Sequence, residues 1–303
     1  MELTIARTEE ELAAWVAVRN RNLPQFPMPL EDVFRLRTIN PKRCELLCRE
    51  GGVPVAAGFT ARRLSGLPGA FSGAVWVDEG ARGRGIGTRI AERVLEEARA
   101  LGAVTLDSMV REESSAGRAF AERHGFEQVA RNVGLELMLA EVPTPEIEAP
   151  EGIEITTLQQ RPALLRGVYQ TALEAWPDVP GMGEDQDLGT FDEWSTRNLA
   201  WASFNRESFF LAVSDGEVVG YAQLTINPLR PTCGDNEFTG VRRAWRGRGI
   251  AGALKRAQIA WAKEAGLEVL ETGNEERNEP IRKLNARLGY GPGPVWLFMR
   301  TQL

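Results

Sequence analysis

The chain has 303 residues, of which 43% are hydrophobic and 26% are charged. That length exceeds a usual single core and fits two domains of about 150 residues each. With 36 basic and 42 acidic residues the formal net charge is −6, which argues against a general nucleic-acid-binding surface.

Cysteine content and hydropathy indicate a cytoplasmic protein. Three cysteines are too few for a disulfide framework, and a single histidine without a Cys/His cluster argues against a zinc site. The N-terminus lacks a leader pattern, and no apolar run approaches about 18 residues. We therefore expect a soluble cytoplasmic protein that has no metal and contacts no membrane. Composition leaves the oligomeric state open.

The first half of the chain alternates strand and helix patterns. Thr8, followed by three glutamates, is the expected N-cap of a first helix, whereas residues 23–29 are too rich in proline to be helical. The Glu-Gly-Gly turn at 50–52 predicts a hairpin. Strands are predicted at 3–6, 45–48, 54–60, 70–77 and 104–109, and further helices from Ile86 to Leu101 and at 115–123.

Composition changes between residues 141 and 151, where prolines and glutamates replace any clear periodicity. This pattern is typical of a semi-extended linker, so we expect domains at 1–140 and 152–303. The second half then repeats the first. Its strands are predicted at 153–156, 209–213, 218–226, 238–241 and 267–271, and its helices from Ile250 and at 280–288.

A glycine-rich hexapeptide opens the central helix of each half. Arg-Gly-Arg-Gly-Ile-Gly begins at Arg82, and Arg-Gly-Arg-Gly-Ile-Ala begins 164 residues later at Arg246. Alternate glycines let successive backbone N–H groups turn toward one point, and a helix N-terminus lies behind them. The arginines add forked donors that suit phosphate oxygens. Each hexapeptide is therefore a candidate anion cradle.

The spacing of the glycines separates this cradle from other phosphate loops. It lacks the Gly-Lys-Ser/Thr of a P-loop and the G-x-G-x-x-G of a dinucleotide fold. It resembles the Arg/Gln-x-x-Gly-x-Gly/Ala signature of the GNAT family of acetyl-CoA-dependent N-acetyltransferases. His124-Gly125-Phe126 and Leu288-Gly289-Tyr290 resemble the Leu-Gly-Phe that closes the family's core, and they too lie 164 residues apart. The resemblance covers nearly the whole chain, as two domains in tandem.

The resemblance implies an α/β (α+β) fold, in which each domain has a mixed, mostly antiparallel sheet flanked by helices. It also implies transfer of an acetyl group from acetyl-CoA to an amine, and we expect a small-molecule amine and direct transfer in a ternary complex. The residues implied to bind acetyl-CoA are Val77, Arg82, Gly83, Arg84, Gly85, Ile86 and Gly87 in the first copy, and Val241, Arg246, Gly247, Arg248, Gly249, Ile250, Ala251 and Asn278 in the second.

Candidate catalytic residues occur only in the second copy. The family often carries its base on the strand that leads into the cradle, where Asp235 and Glu237 alternate and are expected to share one face of a strand. A carboxylate there can take the proton of the acceptor amine. The first copy has Phe71 and Gly73 at the matching positions. Where the family often has a tyrosine acid, Asn285 stands in the second copy; it is a candidate to position the sulfur or a water.

An acidic stretch before residue 195 is a candidate acceptor pocket. Trp176, Asp178 and Phe191 are predicted to bind the acceptor, because carboxylates with aromatic walls suit a cation. For most of these acids taken individually, a solvated mobile loop is the favoured explanation. At the level of the whole protein, the alternative to an enzyme is a regulatory module that binds acyl-CoA without turnover.

Overall fold

The computed structural model describes residues 1–65, 67–180 and 187–303. The chain forms two compact units, residues 1–130 with 297–303 and residues 131–296. The predicted boundaries at 1–140 and 152–303 follow the sequence repeat, whereas contacts group residues 131–140 with the second unit and 297–303 with the first. Among the described residues no helix is long and apolar enough to cross a membrane.

The first unit is a sheet with helices against it. Its elements are β1 (Glu2–Ile5), α1 (Glu9–Asn22), α2 (Leu30–Ile39), β2 (Arg43–Glu50), β3 (Val53–Arg62), β4 (Ala70–Val77), α3 (Ile86–Ala100), β5 (Thr105–Arg111) and α4 (Ser115–Arg123). The strands β1 to β5 follow each other in order, antiparallel except for the parallel pair β4 and β5. Residues 297–302 of the last strand of the chain lie next to β5.

The second unit repeats this plan. Its elements are β6 (Glu127–Met138, of which 127–130 belong to the first unit), β7 (Glu154–Thr157), α5 (Leu165–Ala175), α6 (Phe191–Leu199), β8 (Phe209–Ser214), β9 (Glu217–Ile226), β10 (Cys233–Val241), α7 (Ile250–Glu264), β11 (Val269–Glu275), α8 (Glu279–Arg287) and β12 (Gly291–Gln302). Strand order is β6-β11-β10-β9-β8-β7, with β10 and β11 parallel and the others antiparallel. The predicted fold class is confirmed.

Local sequence signals explain several of these boundaries. Thr8 and Glu11 form a capping box at the start of α1, so the predicted N-cap is confirmed. The helix α3 buries Ile86, Ile90 and Val94 against its sheet, which confirms its predicted apolar face. The predicted bounds of β4 and α4 agree with the structure to the residue. All three cysteines are free and buried.

Other elements carry weaker local signals and were not predicted. They are α2, α5, α6, β6 and β12. The end of β12 is fixed to the first unit by long-range contacts: Arg300 ion-pairs with Asp107 at 2.6 Å, and the Leu303 backbone N–H donates to the Val104 carbonyl at 2.9 Å. Such pairing depends on residues far apart in sequence, so periodicity alone does not indicate it.

Candidate active site

Both glycine-rich hexapeptides fold into the same cradle. Gly83 and Gly85 have φ of +75° and +76°, and Gly247 and Gly249 have φ of +76° and +86°. These left-handed conformations favour glycine, and the two later glycines are the N-caps of α3 and α7. A Cβ at Gly83, Gly85 or Gly247 would meet no described atom within 4 Å. The space in front of each loop is therefore open to a ligand.

The first arginine of each cradle is held in the same way. Arg82 Nε donates to the Val77 carbonyl at 2.9 Å, and Arg246 Nε donates to the Val241 carbonyl at 3.0 Å. The second arginine likewise donates to a backbone carbonyl four residues earlier, at 3.1 Å from Arg84 and 3.2 Å from Arg248. Val77 and Val241 thus connect the strand end to the cradle through their backbone oxygens. The two loops therefore share their arginine–carbonyl hydrogen bonds.

The strands before each cradle separate from their parallel neighbour. Parallel pairing of β10 with β11 covers Cys233 to Asn236, although β10 continues beside β9 as far as Val241. In the first unit, β4 and β5 pair from Ala70 to Ser72, and β4 then continues beside β3 to Val77. Each sheet therefore opens between its two parallel strands. In the second unit the opening begins at Asn236.

Glu237 lies where this opening begins, in a bulge of β10. The register of β10 with β9 shifts between Asn236 and Phe238, and Thr225 Oγ1 donates to Glu237 Oε1 at 3.2 Å. Glu237 is exposed to solvent, yet desolvation by the surrounding protein raises its pKa. A carboxyl group that lines a concave surface is both reached by water and partly desolvated by the protein around it, which accounts for the exposure and for the raised pKa. A carboxylate of this kind suits proton abstraction.

Asp235 lies close to Glu237 but is less exposed to solvent. Desolvation, and then the negative charge of Glu237, raise the pKa of Asp235 to about 7. One oxygen of Asp235, one of Glu271 and the Cys233 sulfur lie within 4.8 Å of each other, a spacing that a metal ion could bridge. Arg230, however, holds both oxygens of Glu271, at 2.5 and 3.0 Å. The expectation that the protein uses no metal stays a prediction.

The N-cap residue of the last helix differs between the units. In the first unit Ser114 Oγ accepts from the Gly117 backbone N–H at 3.2 Å and so caps α4. Asn278 occupies the same place before α8, and no cap bond from its side chain occurs in the described chain. The partly buried Asn278 amide is therefore available to a ligand, as the resemblance implies.

Asn285 is fully buried on α8. Its Nδ2 donates to Asn274 Oδ1 on β11 at 2.7 Å, while its Oδ1 has no hydrogen-bond partner among the described residues. Near it lie buried polar groups that sequence reasoning missed. These are Asn236, Lys255, Gln258 and Tyr290. Comparison at the 164-residue offset could have indicated them, because the first copy has Ser72, Ala91, Val94 and Phe126 there.

The two aromatic residues predicted for the acceptor pack against one apolar cluster but make different ring contacts. Trp176 stacks on Phe238, next to Glu237 in β10, with ring centroids 4.5 Å apart and planes 16° apart. Phe191 begins α6 and packs edge-on against Tyr169 at 5.7 Å. Trp176 therefore packs on the residue that follows the candidate base in β10. Phe191 belongs to the packing of α5 and α6.

Asp178 contacts Arg246 of the cradle and Arg243, which lies three residues before it. Its carboxylate ion-pairs with Arg243 and Arg246, each at 2.7 Å. Hydrogen bonds from Arg243 and then from Arg246 lower its pKa to about 2. The charge of Asp178 is thus matched by two cations rather than left unpaired for a cationic acceptor.

The other acids of the acidic stretch have local roles or lie outside the structural description. Glu193 forms a capping box with Thr190 at the start of α6, and Asp187 accepts a hydrogen bond from the Gly189 backbone N–H at 2.8 Å. Glu184 and Asp185 lie outside the described residues.

Comparison with known proteins supports the assignment of both glycine-rich hexapeptides to the GNAT family. The model of the acetyltransferase (GNAT) family matches residues 7–126 and 166–290. A mycothiol acetyltransferase of Thermomonospora curvata is 26% identical over 267 residues, spanning 86% of this chain and 84% of that protein. A mycothiol acetyltransferase of Rhodococcus jostii is 26% identical over 223 residues, spanning 71% of this chain and 69% of that one.

Solved structures share the fold of the whole chain. A tandem GNAT protein from the clavulanic acid biosynthesis pathway superposes with a TM-score of 0.76 and 22% identity, covering 99% of this chain and 98% of that one. A GCN5-related N-acetyltransferase from Sphaerobacter thermophilus has a TM-score of 0.74 and 23% identity, covering 99% of this chain and 95% of the other. At this identity the likeness supports the tandem fold.

Proposed function

The chain belongs to the acetyltransferase (GNAT) family and is an N-acetyltransferase that uses acetyl-CoA; from this premise we propose that its second unit catalyses direct acetyl transfer to a small amine, with Glu237 as the base. The observation that carries the proposal is the position of Glu237. Its carboxylate is wetted, has a raised pKa and lies where β10 and β11 separate.

The chemistry requires a proton acceptor for the amine. A primary amine has a pKa of about 10.4 and is mostly protonated at neutral pH. Glu237 takes a proton from the ammonium group, directly or through water, and the free amine then attacks the thioester carbonyl. Backbone N–H groups of the separated strand polarise that carbonyl, and binding both substrates together brings the reacting atoms to attack distance.

Each cradle supports binding of one acetyl-CoA. Open space at the glycines, outward backbone N–H groups and two arginines suit the pyrophosphate, and both loops have the same geometry. In the second unit the free amide of Asn278 is a further donor and acceptor for the cofactor's amide-bearing arm. The first unit lacks acids on the strand before its cradle, so we propose that it binds acetyl-CoA without turnover.

The acceptor is proposed to be a small-molecule amine, and amines related to mycothiol are the first to test because of the names of the relatives. Trp176 beside Phe238 would form an aromatic wall next to Glu237. Such a wall suits a cationic amine. Asp178 would contribute to this preference only if its ion pairs with Arg243 and Arg246 opened.

A screen of small amines for release of free thiol from acetyl-CoA tests the proposal. We expect at least one amine to give turnover that Glu237→Gln lowers by about 10²- to 10⁴-fold at neutral pH. Acetyl-CoA that binds without turnover for any amine would instead favour the regulatory alternative. Calorimetric titration should find two acetyl-CoA sites per chain. A single site that Gly249→Glu abolishes and Gly85→Glu leaves unchanged would remove the first cradle from cofactor binding.

A further inference from the structure

Lys255 is a buried lysine of the second unit whose ammonium group faces an aromatic ring. Lys255 projects from α7, is 2% exposed, and its Nζ has no hydrogen-bond partner among the described residues. Its Nζ lies 5.0 Å from the centroid of the Tyr290 ring. An unpaired buried ammonium is costly, so a fold tolerates it only when something else requires it.

A chain of contacts connects Lys255 to the opening between β10 and β11. The Tyr290 hydroxyl accepts a hydrogen bond from Asn236 Nδ2 at 2.9 Å, and Asn236 is the last residue of β10 that pairs with β11. The Tyr290 backbone N–H donates to the Asn285 carbonyl at 3.1 Å, which brings α8 to the same place. Lys255 is therefore connected through Tyr290 to Asn236, the residue at which β10 and β11 separate.

Several other buried polar atoms in this region also lack a partner. In the described chain they are Asn236 Oδ1, Asn285 Oδ1, and both amide atoms of Gln258, which follows Lys255 by three residues on α7. A protein interior normally pairs such atoms. Tyr290 connects Lys255 to Asn236 and Asn285, and Gln258 lies one turn further along α7. This part of the second unit therefore suits a polar ligand or reaction.

The first unit has the same fold but carries apolar residues at the positions that match these polar groups. At the 164-residue offset, Lys255, Gln258 and Asn285 are replaced by Ala91, Val94 and Ala121. All three are buried, and Val94 and Ala121 belong to apolar clusters. The fold itself therefore does not need a polar interior here.

We propose that Lys255 is the proton donor to the departing thiolate of coenzyme A, an inference that rests on the acetyl transfer proposed above. When the tetrahedral intermediate collapses, the C–S bond breaks and its electron pair leaves with sulfur. A proton moves from Nζ to that sulfur, which gives the free thiol and a neutral lysine. Glu237 receives the proton of the acceptor nitrogen, and solvent restores the proton of Lys255.

The electrostatics of Lys255 fit this role. Burial lowers the pKa of Lys255 to about 7, and the titratable side chain of Tyr290 faces it. An ammonium group with a pKa near neutrality is closely matched to a thiolate, whose conjugate acid has an ordinary pKa of about 8.5. The match remains close when the ammonium lowers the pKa of the nearby thiol, so the proton transfers without a large free-energy barrier from mismatched acidities. Asn285, which replaces the family's tyrosine, has no proton to give.

The test measures the ionisation of coenzyme A bound to the full chain, and so needs no acceptor. Thiolate absorbance is followed against pH for wild type, Lys255→Met and the control Lys283→Met, which removes an exposed lysine of α8. An ammonium close to sulfur lowers the pKa of the bound thiol by about 1–3 units. We expect that lowering in wild type and Lys283→Met and its loss in Lys255→Met. Equal thiol pKa values in all three proteins would overturn the proposal.

Stability gives a second, independent readout. Methionine has a similar length and no charge, so Lys255→Met should keep or raise the melting temperature while it lowers kcat. A structural lysine held by Tyr290 would do the reverse, and a lower melting temperature with unchanged kcat would contradict the proposal. Lys255→Gln serves as a second variant if methionine impairs folding. Failure of coenzyme A to bind wild type would refute the acetyl transfer itself, and this inference with it.

Discussion

Replacing Glu237 by glutamine should remove the base and preserve the fold. The side chain is exposed, and glutamine retains an oxygen that accepts from Thr225. We therefore expect loss of proton abstraction with little loss of stability. General-base catalysis contributes about 10²- to 10⁴-fold, which corresponds to about 3–5 kcal/mol in the activation free energy. The defect in kcat should shrink toward pH 10, where the acceptor amine is free without help.

The pH profile of the wild-type enzyme shows in which direction kcat/KM depends on the ionisation of Glu237. Glu237 acts as a carboxylate, and its pKa is raised, so kcat/KM should fall as the pH falls through a value above the ordinary glutamate value of about 4.3. Thr225→Val removes a hydrogen bond that favours the carboxylate and should move this limb to higher pH. Steady-state kinetics from acid to alkaline pH measures both effects. A Glu237→Gln enzyme with more than a tenth of wild-type kcat at neutral pH would refute the assignment.

Two further predictions concern the acids near the cradle. Asp235 has a folded-state pKa of about 7 against about 3.9 when unfolded, so it stabilises the fold below pH 4 and loses that contribution as the pH rises through 7. Asp235→Asn should therefore raise the melting temperature at about pH 8 relative to wild type and much less at about pH 4; an equal gain at both would contradict this. Asp178→Asn frees Arg246 from its ion pair and should tighten acetyl-CoA binding by calorimetry. A raised KM for the amine with unchanged acetyl-CoA affinity would instead assign Asp178 to the acceptor.

The cradles could be predicted from sequence because their determinants are local. Alternate glycines, a preceding strand and a following helix lie within a dozen residues, and the second copy at the 164-residue offset excludes a chance match. The bounds of β4 and α4 were predicted for the same reason, since turn and capping residues flank them. Periodicity and caps act over one or two turns of chain.

The rest of the candidate site depends on contacts that are distant in sequence. The bulge at Glu237 is a feature of the pairing of β10 with β9, so strict alternation within β10 does not predict it. Asp178 resembles a free acid in the sequence, yet Arg243 and Arg246 reach it across about 65 residues. Lys255 resembles a solvated helix residue, and only the packing of Tyr290 and α8 buries it.

The central claim, that chemistry belongs to the second unit, is tested most directly by comparing kinetics of Gly85→Glu and Gly249→Glu. Both glycines have left-handed φ, +76° and +86°, and neither faces an atom closer than 4.0 Å, so the backbone strain of about 1–2 kcal/mol is matched. The added carboxylate repels the pyrophosphate in either cradle. We predict that the two substitutions lower the melting temperature by similar amounts. Gly249→Glu should abolish turnover, whereas Gly85→Glu should retain kcat. Turnover that survives Gly249→Glu but not Gly85→Glu, in variants shown to be folded, would assign the chemistry to the first unit.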